Sequence, residues 1–509
     1  MNVARLSLEN IERYGEYTSI HFEGASWTNL EHSRRAGRLA RVLRDRGVRA
    51  GDCVVVMMPN SPDVIAAFQA VWRLGAVIIP VTPQLGTREV RHVVEHSGAG
   101  AVLTKPELAA RLREAATGLA TARNILVLAG ADGEDAADIE PDVRSAEPLE
   151  DVAERSDDDL ALLLYTSGTT GKPKGVMLSH RNMLANPRSG AQMFRFTPRM
   201  PTLHALPLSH SYGVLMMNLG YVFGWVLVVL PSWDTRRVFE SIERFRIERF
   251  GVVPTMLRYM IDFPDRPRYD TSSLVWVWSG GAPLPNDLRV EFEAIFHCRV
   301  ADGYGQSEAT ASLSGYWEGD EPRDGAAGRA LPGVELQIQD PSGAPLPART
   351  TGEICARGEN IMLGYWNDPE ATAQALAGGW LHTGDIGFLD EDGFVYVTDR
   401  KKDLIIKGGE NISPREIEEA IYEHPAVAEA AVVRVPHPVY GEDIWAAVVA
   451  KPAASVSEEE ICSHVGRYVT KFKIPTRVIF YTELPKNGVG KILKRQIREE
   501  LSRAAVEGR

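Results

Sequence analysis

Between residues 30 and 46, apolar side chains return at Ala36, Leu39, Ala40 and Leu43, the spacing of one helix face, and Gly47 offers a stop. Residues 53–58 form a short apolar run suited to a buried strand. Ser61-Pro62 then reads as an N-cap with proline at the first helical position, and Val64, Phe68, Val71 and Trp72 keep helical spacing up to Gly75. Residues 76–81 read as the next strand. This βαβ rhythm predicts a largely parallel sheet covered by helices. Residues 213–230 are 18 positions without a charge, close to the lower limit for a membrane span. Asn218 and the glycines at 213, 220 and 224 divide them, so a buried helix followed by a strand over 225–230 is expected instead.

After about residue 330 the texture changes to short strands between Gly and Pro turns, at 334–339 and 352–356, which predicts a small β-rich subdomain. Ser413-Pro414-Arg415-Glu416 is a capping-box pattern that starts a helix with Ile417 and Ile421 on one face, and residues 430–435 read as a strand. The expected fold is therefore α/β: a large N-terminal domain of helix-covered sheets with the β-rich subdomain, then a small α+β C-terminal domain. No internal repeat is visible.

Composition changes this picture little. The 509 residues leave room for three or four domains, and 44% hydrophobic with 24% charged residues excludes wholesale disorder. The net charge of -12 suggests cationic partners until its placement is read: residues 132–159 hold 13 acidic and two basic side chains, leaving the rest nearly neutral. That acidic segment is expected to be a solvated loop. Cys53, Cys298, Cys355 and Cys462 lie far apart without zinc spacing, and isolated thiols fit a reducing, cytoplasmic setting. The mixed charges of residues 1–20 argue against a signal peptide.

The chemistry concentrates in Tyr165-Thr166-Ser167-Gly168-Thr169-Thr170-Gly171-Lys172-Pro173-Lys174-Gly175, following a strand-like run over 160–164. Glycines let backbone N–H groups approach phosphate oxygens, hydroxyls add donors, and two lysines add charge. The Walker pattern cannot be aligned here, which disfavours a P-loop NTPase. The run resembles the phosphate-binding signature of the adenylate-forming superfamily, the acyl-CoA synthetases, adenylation domains and luciferases. Further motifs of that superfamily follow in order: Ser279-Gly280-Gly281-Ala282-Pro283, Asp302-Gly303-Tyr304-Gly305-Gln306-Ser307-Glu308, Trp380 with Thr383-Gly384-Asp385, Asp399-Arg400, and Pro485-Lys486-Asn487-Gly488-Val489-Gly490-Lys491.

The resemblance implies ATP, Mg²⁺ and coenzyme A. It implies adenine or ribose packing on Tyr304, an adenine contact from Asp302, ribose binding by Asp385 with Arg400, and metal ligation by Glu308 with Thr169 or Thr170. Ser307 stands where the family usually has threonine, with the hydroxyl kept. Lys491 becomes the principal catalytic residue, an ammonium offsetting the repulsion between substrate carboxylate and α-phosphate. Lys402 matches a hinge, dividing the chain into 1–399, 400–402 and 403–509 and making the C-terminal domain mobile. Gly408-Gly409-Glu410 resembles the channel-lining segment of CoA-using members. Tyr440, Lys473 and Arg477 are expected at CoA, Tyr440 with a core position as its equal alternative. The nine basic residues between 467 and 498, against one acid, fit ATP and CoA phosphates better than nucleic acid.

The acyl site is expected at Pro207-Leu208-Ser209-His210-Ser211-Tyr212-Gly213, with His210 gating or orienting the carboxylate and a structural histidine as its equal alternative. Val214, Leu215, Met216, Met217 and Leu219 are expected to line the pocket, although core packing uses the same residues. No carboxylate stands here to bind an amino-acid ammonium. The expected reaction joins a small-molecule carboxylic acid to CoA through an acyl adenylate, releasing pyrophosphate and then AMP. A medium- or long-chain fatty acid is the expected substrate and an arylcarboxylic acid the alternative. Delivery to a carrier protein or another nucleophile is a second reading, and a non-catalytic nucleotide- or acyl-binding protein a third. A homodimer is left open.

Overall fold

The computed structural model describes residues 1–119, 124–128, 138–166, 173–451, 454–486 and 492–507. The first expected βαβ unit forms as read. Thr28 caps the helix Asn29–Asp45 through a reciprocal capping box with Glu31, and Ser61 caps Pro62–Arg73 by accepting from the Val64 N–H, a device worth about 1 kcal/mol. The strands Cys53–Met57 and Val77–Val81 pair in parallel and are buried along their whole lengths.

They lie inside a seven-stranded sheet that also holds Ala101–Thr104, Asn124–Val127, Leu160–Thr166, Lys174–Ser179 and Gly364–Tyr365. A second seven-stranded sheet carries, in spatial order, Arg299–Asp302, Trp276–Ser279, Arg249–Val252, Pro201–His204, Val226–Val229, Thr18–Phe22 and Ala25–Thr28. One contiguous core joins the two, because helices such as Ser211–Phe223 bury apolar faces between them. A four-stranded antiparallel sheet, Val334–Gln339, Gly352–Gly358, Leu381–Leu389 and Val395–Arg400, is the expected β-rich subdomain.

The uncharged stretch from 213 resolves as expected into a helix and a strand. The helix Ser211–Phe223 ends at Gly224 in the left-handed conformation, and the strand is Val226–Val229, one residue later than read, since Trp225 is buried in the link. Among the described residues no helix is long and apolar enough to cross a membrane.

The acidic segment departs from expectation. Its described part includes the short helix Glu140–Ser145, and Glu140 is buried, holding the Arg35 guanidinium at 2.9 Å and Arg144 at 3.0 Å. Counting charges along the chain could not find this, because Arg35 lies 105 positions away.

From Ile405 onward the chain builds its own five-stranded sheet, with Gly441–Ala450 paired to Val427–His437 on one side and to Arg477–Phe480 and Ile405–Lys407 on the other. Ile417 and Ile421 of the helix Pro414–Tyr422 are fully buried in its core, as their spacing predicts. Only half of the capping box forms. Ser413 Oγ accepts from the Glu416 N–H, but the Glu416 carboxylate turns to Lys473 Nζ at 2.6 Å.

Candidate functional site

A cavity of about 970 Å³ opens where the strand ends of the large domain meet the β-rich subdomain. The DGYGQSE run crosses its middle. Asp302 closes its strand at the sheet edge, and the chain then turns sharply past residues 311–312. A Cβ on Gly305 would lie 2.1 Å from the Ala311 carbonyl oxygen, so only glycine passes there.

Tyr304, nearly buried, donates from its hydroxyl to Asp385 Oδ2 at 2.8 Å, while Arg400 Nε stands 3.2 Å from Asp385 Oδ1. Asp385 and Arg400 face each other across the antiparallel pair Leu381–Leu389 and Val395–Arg400, so strand register alone juxtaposes them. Burial and the Asp385 charge hold the Tyr304 hydroxyl well above the usual phenol range, which keeps it a neutral donor. Glu308 accepts from the Tyr365 hydroxyl at 2.9 Å through Oε1, and Ser307 Oγ lies 3.5 Å from Ser211 Oγ. His210 caps the helix Ser211–Phe223: its Nδ1 accepts from the Tyr212 N–H at 3.2 Å, so in the neutral ring Nε2 carries the proton.

Asp302 Oδ1 is sealed from solvent without a hydrogen-bond partner among the described residues, while the residue borders the cavity. Burial pushes its carboxyl up to about 7, partly countered by the positive charge of Arg415. A carboxyl at the cavity border can accept from an N–H donor of a bound ligand, as the adenine amino group would supply.

Of the expected residues, Thr166, Lys174, His210, Gly281, Ala282, Asp302, Gly303, Tyr304, Gly305, Gln306, Ser307, Glu308, Asp385, Arg400 and Lys402 all line this cavity. Pro283 is not in that lining. Ser167, Gly168, Thr169, Thr170, Gly171, Lys172 and Lys491 lie outside the described residues. Among the described residues no cluster of three or more His, Cys, Asp or Glu stands ready for a metal. Lys402 borders the cavity with its ammonium pKa lowered by burial and by neighbouring Arg400. Just before it, Asp399 Oδ2 accepts from Ser413 Oγ at 2.7 Å and from the Arg415 N–H at 3.2 Å, and Arg415 also bonds the Val397 carbonyl. The helix Pro414–Tyr422 is thereby tied to the strand that leads into the expected hinge.

The residues expected at CoA gather elsewhere, on the C-terminal sheet. Gly408 and Gly409 form the turn between Ile405–Lys407 and Glu410–Ile412. Their φ values of +59° and +91° require glycine, whereas crowding does not: a Cβ on Gly408 would meet Tyr440 and Phe472 at an ordinary 3.6 Å, and one on Gly409 nothing. Beside the turn, Lys407 is buried in an ion pair with Asp443 at 2.8 Å. Tyr440 is no core residue. It is 46% exposed, stacked on His437 at 4.9 Å. Five of the nine basic residues of the stretch are paired with nearby acids: Lys473 with Glu416, Arg477 with Glu458, Lys486 with Glu429, Lys494 with Glu418 and Arg495 with Glu499.

The end of the cavity where the acyl group is expected contains Leu215, Met216 and Leu219, but Val214 and Met217 turn into the core on the other side of the same helix. Sequence reasoning missed Phe194, Phe196, Phe223, Trp225 and Trp278, which wall this end, and Tyr365, which holds Glu308. Phe194 and Phe196, two positions apart in a segment that is neither helix nor strand, were the available signal.

The AMP-binding enzyme family matches residues 8–366, and the AMP-binding enzyme C-terminal domain matches residues 416–491. Feruloyl-CoA synthase of an Amycolatopsis species is 36% identical, covering 94% of this chain and 95% of its own. The long-chain-fatty-acid–CoA ligase of Bacillus subtilis strain 168 is 33% identical over 97% of this chain and 93% of its own. Among solved structures, ATP-bound MatB from Rhodopseudomonas palustris superposes with a TM-score of 0.91, at 31% identity and 99% coverage of both chains.

Proposed function

The chain belongs to the AMP-binding enzyme family, within the adenylate-forming superfamily, and from that premise we propose that it is an AMP-forming acyl-CoA synthetase, joining an apolar carboxylic acid to CoA at the expense of ATP. The observation that carries the reading is the convergence, in one cavity, of Asp302, Tyr304, Asp385, Arg400 and Glu308 with a pocket walled by apolar side chains.

In the first half-reaction the substrate carboxylate attacks the α-phosphorus of ATP, giving the acyl adenylate and pyrophosphate. Asp302 accepts from the adenine amino group, Tyr304 packs the base or ribose, and Asp385 takes the ribose hydroxyls. Asp385 keeps capacity for them, since a carboxylate has about four lone-pair sites and Tyr304 and Arg400 occupy two. Thr166, Lys174 and the run from Ser167 to Lys172 receive the phosphates. Lys491 offsets the repulsion between the two anions as they meet. Glu308, with one oxygen engaged by Tyr365, fits a hard divalent cation such as Mg²⁺ with Thr169 as companion, and that ion would supply charge neutralisation at the polyphosphate.

In the second half-reaction the CoA thiol attacks the activated carbonyl and AMP leaves. No enzyme nucleophile is needed: positioning and charge carry both steps. We assign residues 1–399 and 403–509 to two domains turning about 400–402, with Lys402 at the hinge and the Gly408-Gly409 turn and Tyr440 meeting CoA. A medium- or long-chain fatty acid is supported by the B. subtilis relative, and an aryl acid by the feruloyl-CoA relative and the aromatic pocket wall.

Pyrophosphate release with a panel of acids, each with and without CoA, tests the reading. Release with at least one acid and thioester only with CoA is expected; release without thioester would move the acceptor to a carrier protein or another nucleophile. Failure of every acid to elicit pyrophosphate release from folded protein would refute adenylation.

A further inference from the structure

The end wall of the acyl pocket is built from rings in mutual contact. Phe223 and Trp225 lie nearly parallel, 19° apart with centroids at 5.4 Å, and Trp225 and Trp278 follow at 24° and 6.3 Å. Phe196 stands edge-on to all three, at 87°, 74° and 88° with centroids at 4.6, 5.2 and 5.9 Å, and Phe194 stacks on it at 5.2 Å. The Arg249 guanidinium, which does not border the cavity, packs on the Phe196 ring at 4.8 Å. Phe196 is thus held by the stacked Phe194 ring, by the Arg249 cation over its ring and by the three rings it meets edge-to-face, and it borders the pocket. Among the described residues the charged side chains bordering the cavity, Lys174, Glu308, Asp385 and Arg400 with their neighbours, belong to the nucleotide end, so this end offers no partner to a second charge on the acid.

Resting on the ligase reading, we infer that the acid is a flat aromatic carboxylic acid of one or two rings, and that Phe196 is the specificity-determining residue that limits its length. Ring pairs favour offset-parallel or edge-to-face contact at about 4.5–7 Å, and the half-buried rings of Phe194, Phe196 and Trp278 are the part of this wall that borders the cavity and can make such contact. A flat acid arrives with few torsions to lose, whereas a long saturated chain must freeze many and turn back at Phe196.

The test compares kcat/KM for pyrophosphate release with benzoate, cinnamate, dodecanoate, hexadecanoate and malonate. Wild-type protein should favour the better aryl acid over hexadecanoate by about tenfold or more, and malonate should rank last. Phe196→Ala and the milder Phe196→Leu should each cut that aryl-to-hexadecanoate ratio by about tenfold. The ratio is taken within one preparation, so loss of folded protein does not move it, and the leucine variant answers if the alanine variant is insoluble. Hexadecanoate equal to or better than the aryl acids, or efficient use of malonate, would overturn the substrate class while leaving the ligase reading intact. An unchanged ratio in the leucine variant would overturn the role of Phe196. Failure of every acid tested to elicit pyrophosphate release would instead sink the ligase reading on which the inference stands.

Discussion

Asp302→Asn separates what the buried carboxyl costs the fold from what it gives the ligand. With its pKa pushed up to about 7 by burial, Asp302 holds its proton in the folded chain at pH values where the unfolded chain has released it. The folded state therefore binds more protons between about pH 4 and pH 7, and stability falls as pH rises through that window. At about 1.4 kcal/mol for each pH unit between the ordinary and shifted values, full ionisation costs on the order of 4 kcal/mol. One oxygen is sealed but the residue borders the cavity, and solvent there reduces this to on the order of 2 kcal/mol. Asparagine cannot ionise. Urea unfolding of wild type and variant at pH 5, 6, 7 and 8 should show the variant gaining on the wild type by roughly 1–3 kcal/mol across the series, mostly below pH 7. Since every other titrating group is common to both proteins, the difference isolates Asp302. A gap that stays constant across the series would refute the reasoning.

Further outcomes are expected. Lys491→Ala should lose adenylation severely while largely sparing thioester formation from supplied acyl adenylate; equal loss in both half-reactions, measured separately, would contradict its assignment. Tyr304→Phe removes a hydrogen bond to an ionised carboxylate, and KM for ATP should rise about tenfold, as such bonds contribute about 1.5–3 kcal/mol, with KM for the acid little changed. Lys494→Met leaves Glu418 largely buried and uncompensated and should destabilise the C-terminal domain by about 3 kcal/mol in thermal unfolding, whereas Lys494→Met with Glu418→Leu should recover most of it.

Much of this molecule was legible in its sequence, and the boundary has a physical cause. Local signals carried far: Ser61 before Pro62 sets a helix start, and Gly47 and Gly75 end helices with positive φ. The motif residues from Asp302 to Glu308 lie consecutively on one strand end and turn, so finding them in sequence was finding them in space. What failed to show depended on partners remote in the chain. Glu140 looked solvated until Arg35 covered it, and Lys473 looked available to phosphate until Glu416 took it. Val214 and Met217 share hydrophobicity with Leu215 and Met216, but helix rotation sends them to the opposite side. The aromatic wall draws on two connecting segments, a helix end and one strand, and composition cannot indicate that such scattered rings converge.

The ion pairs of the C-terminal segment bear on how this chain can change over generations. Glu418 and Lys494 are 76 positions apart, yet each is the other's counterion in a site mostly closed to water. A mutation at either position alone passes through a less stable protein, while a compensating pair does not. Positions 418 and 494 are therefore expected to vary together among homologous chains, and a graft that takes residues 403–486 from one parent and the remainder from another should fold only when the two halves bring matching charges.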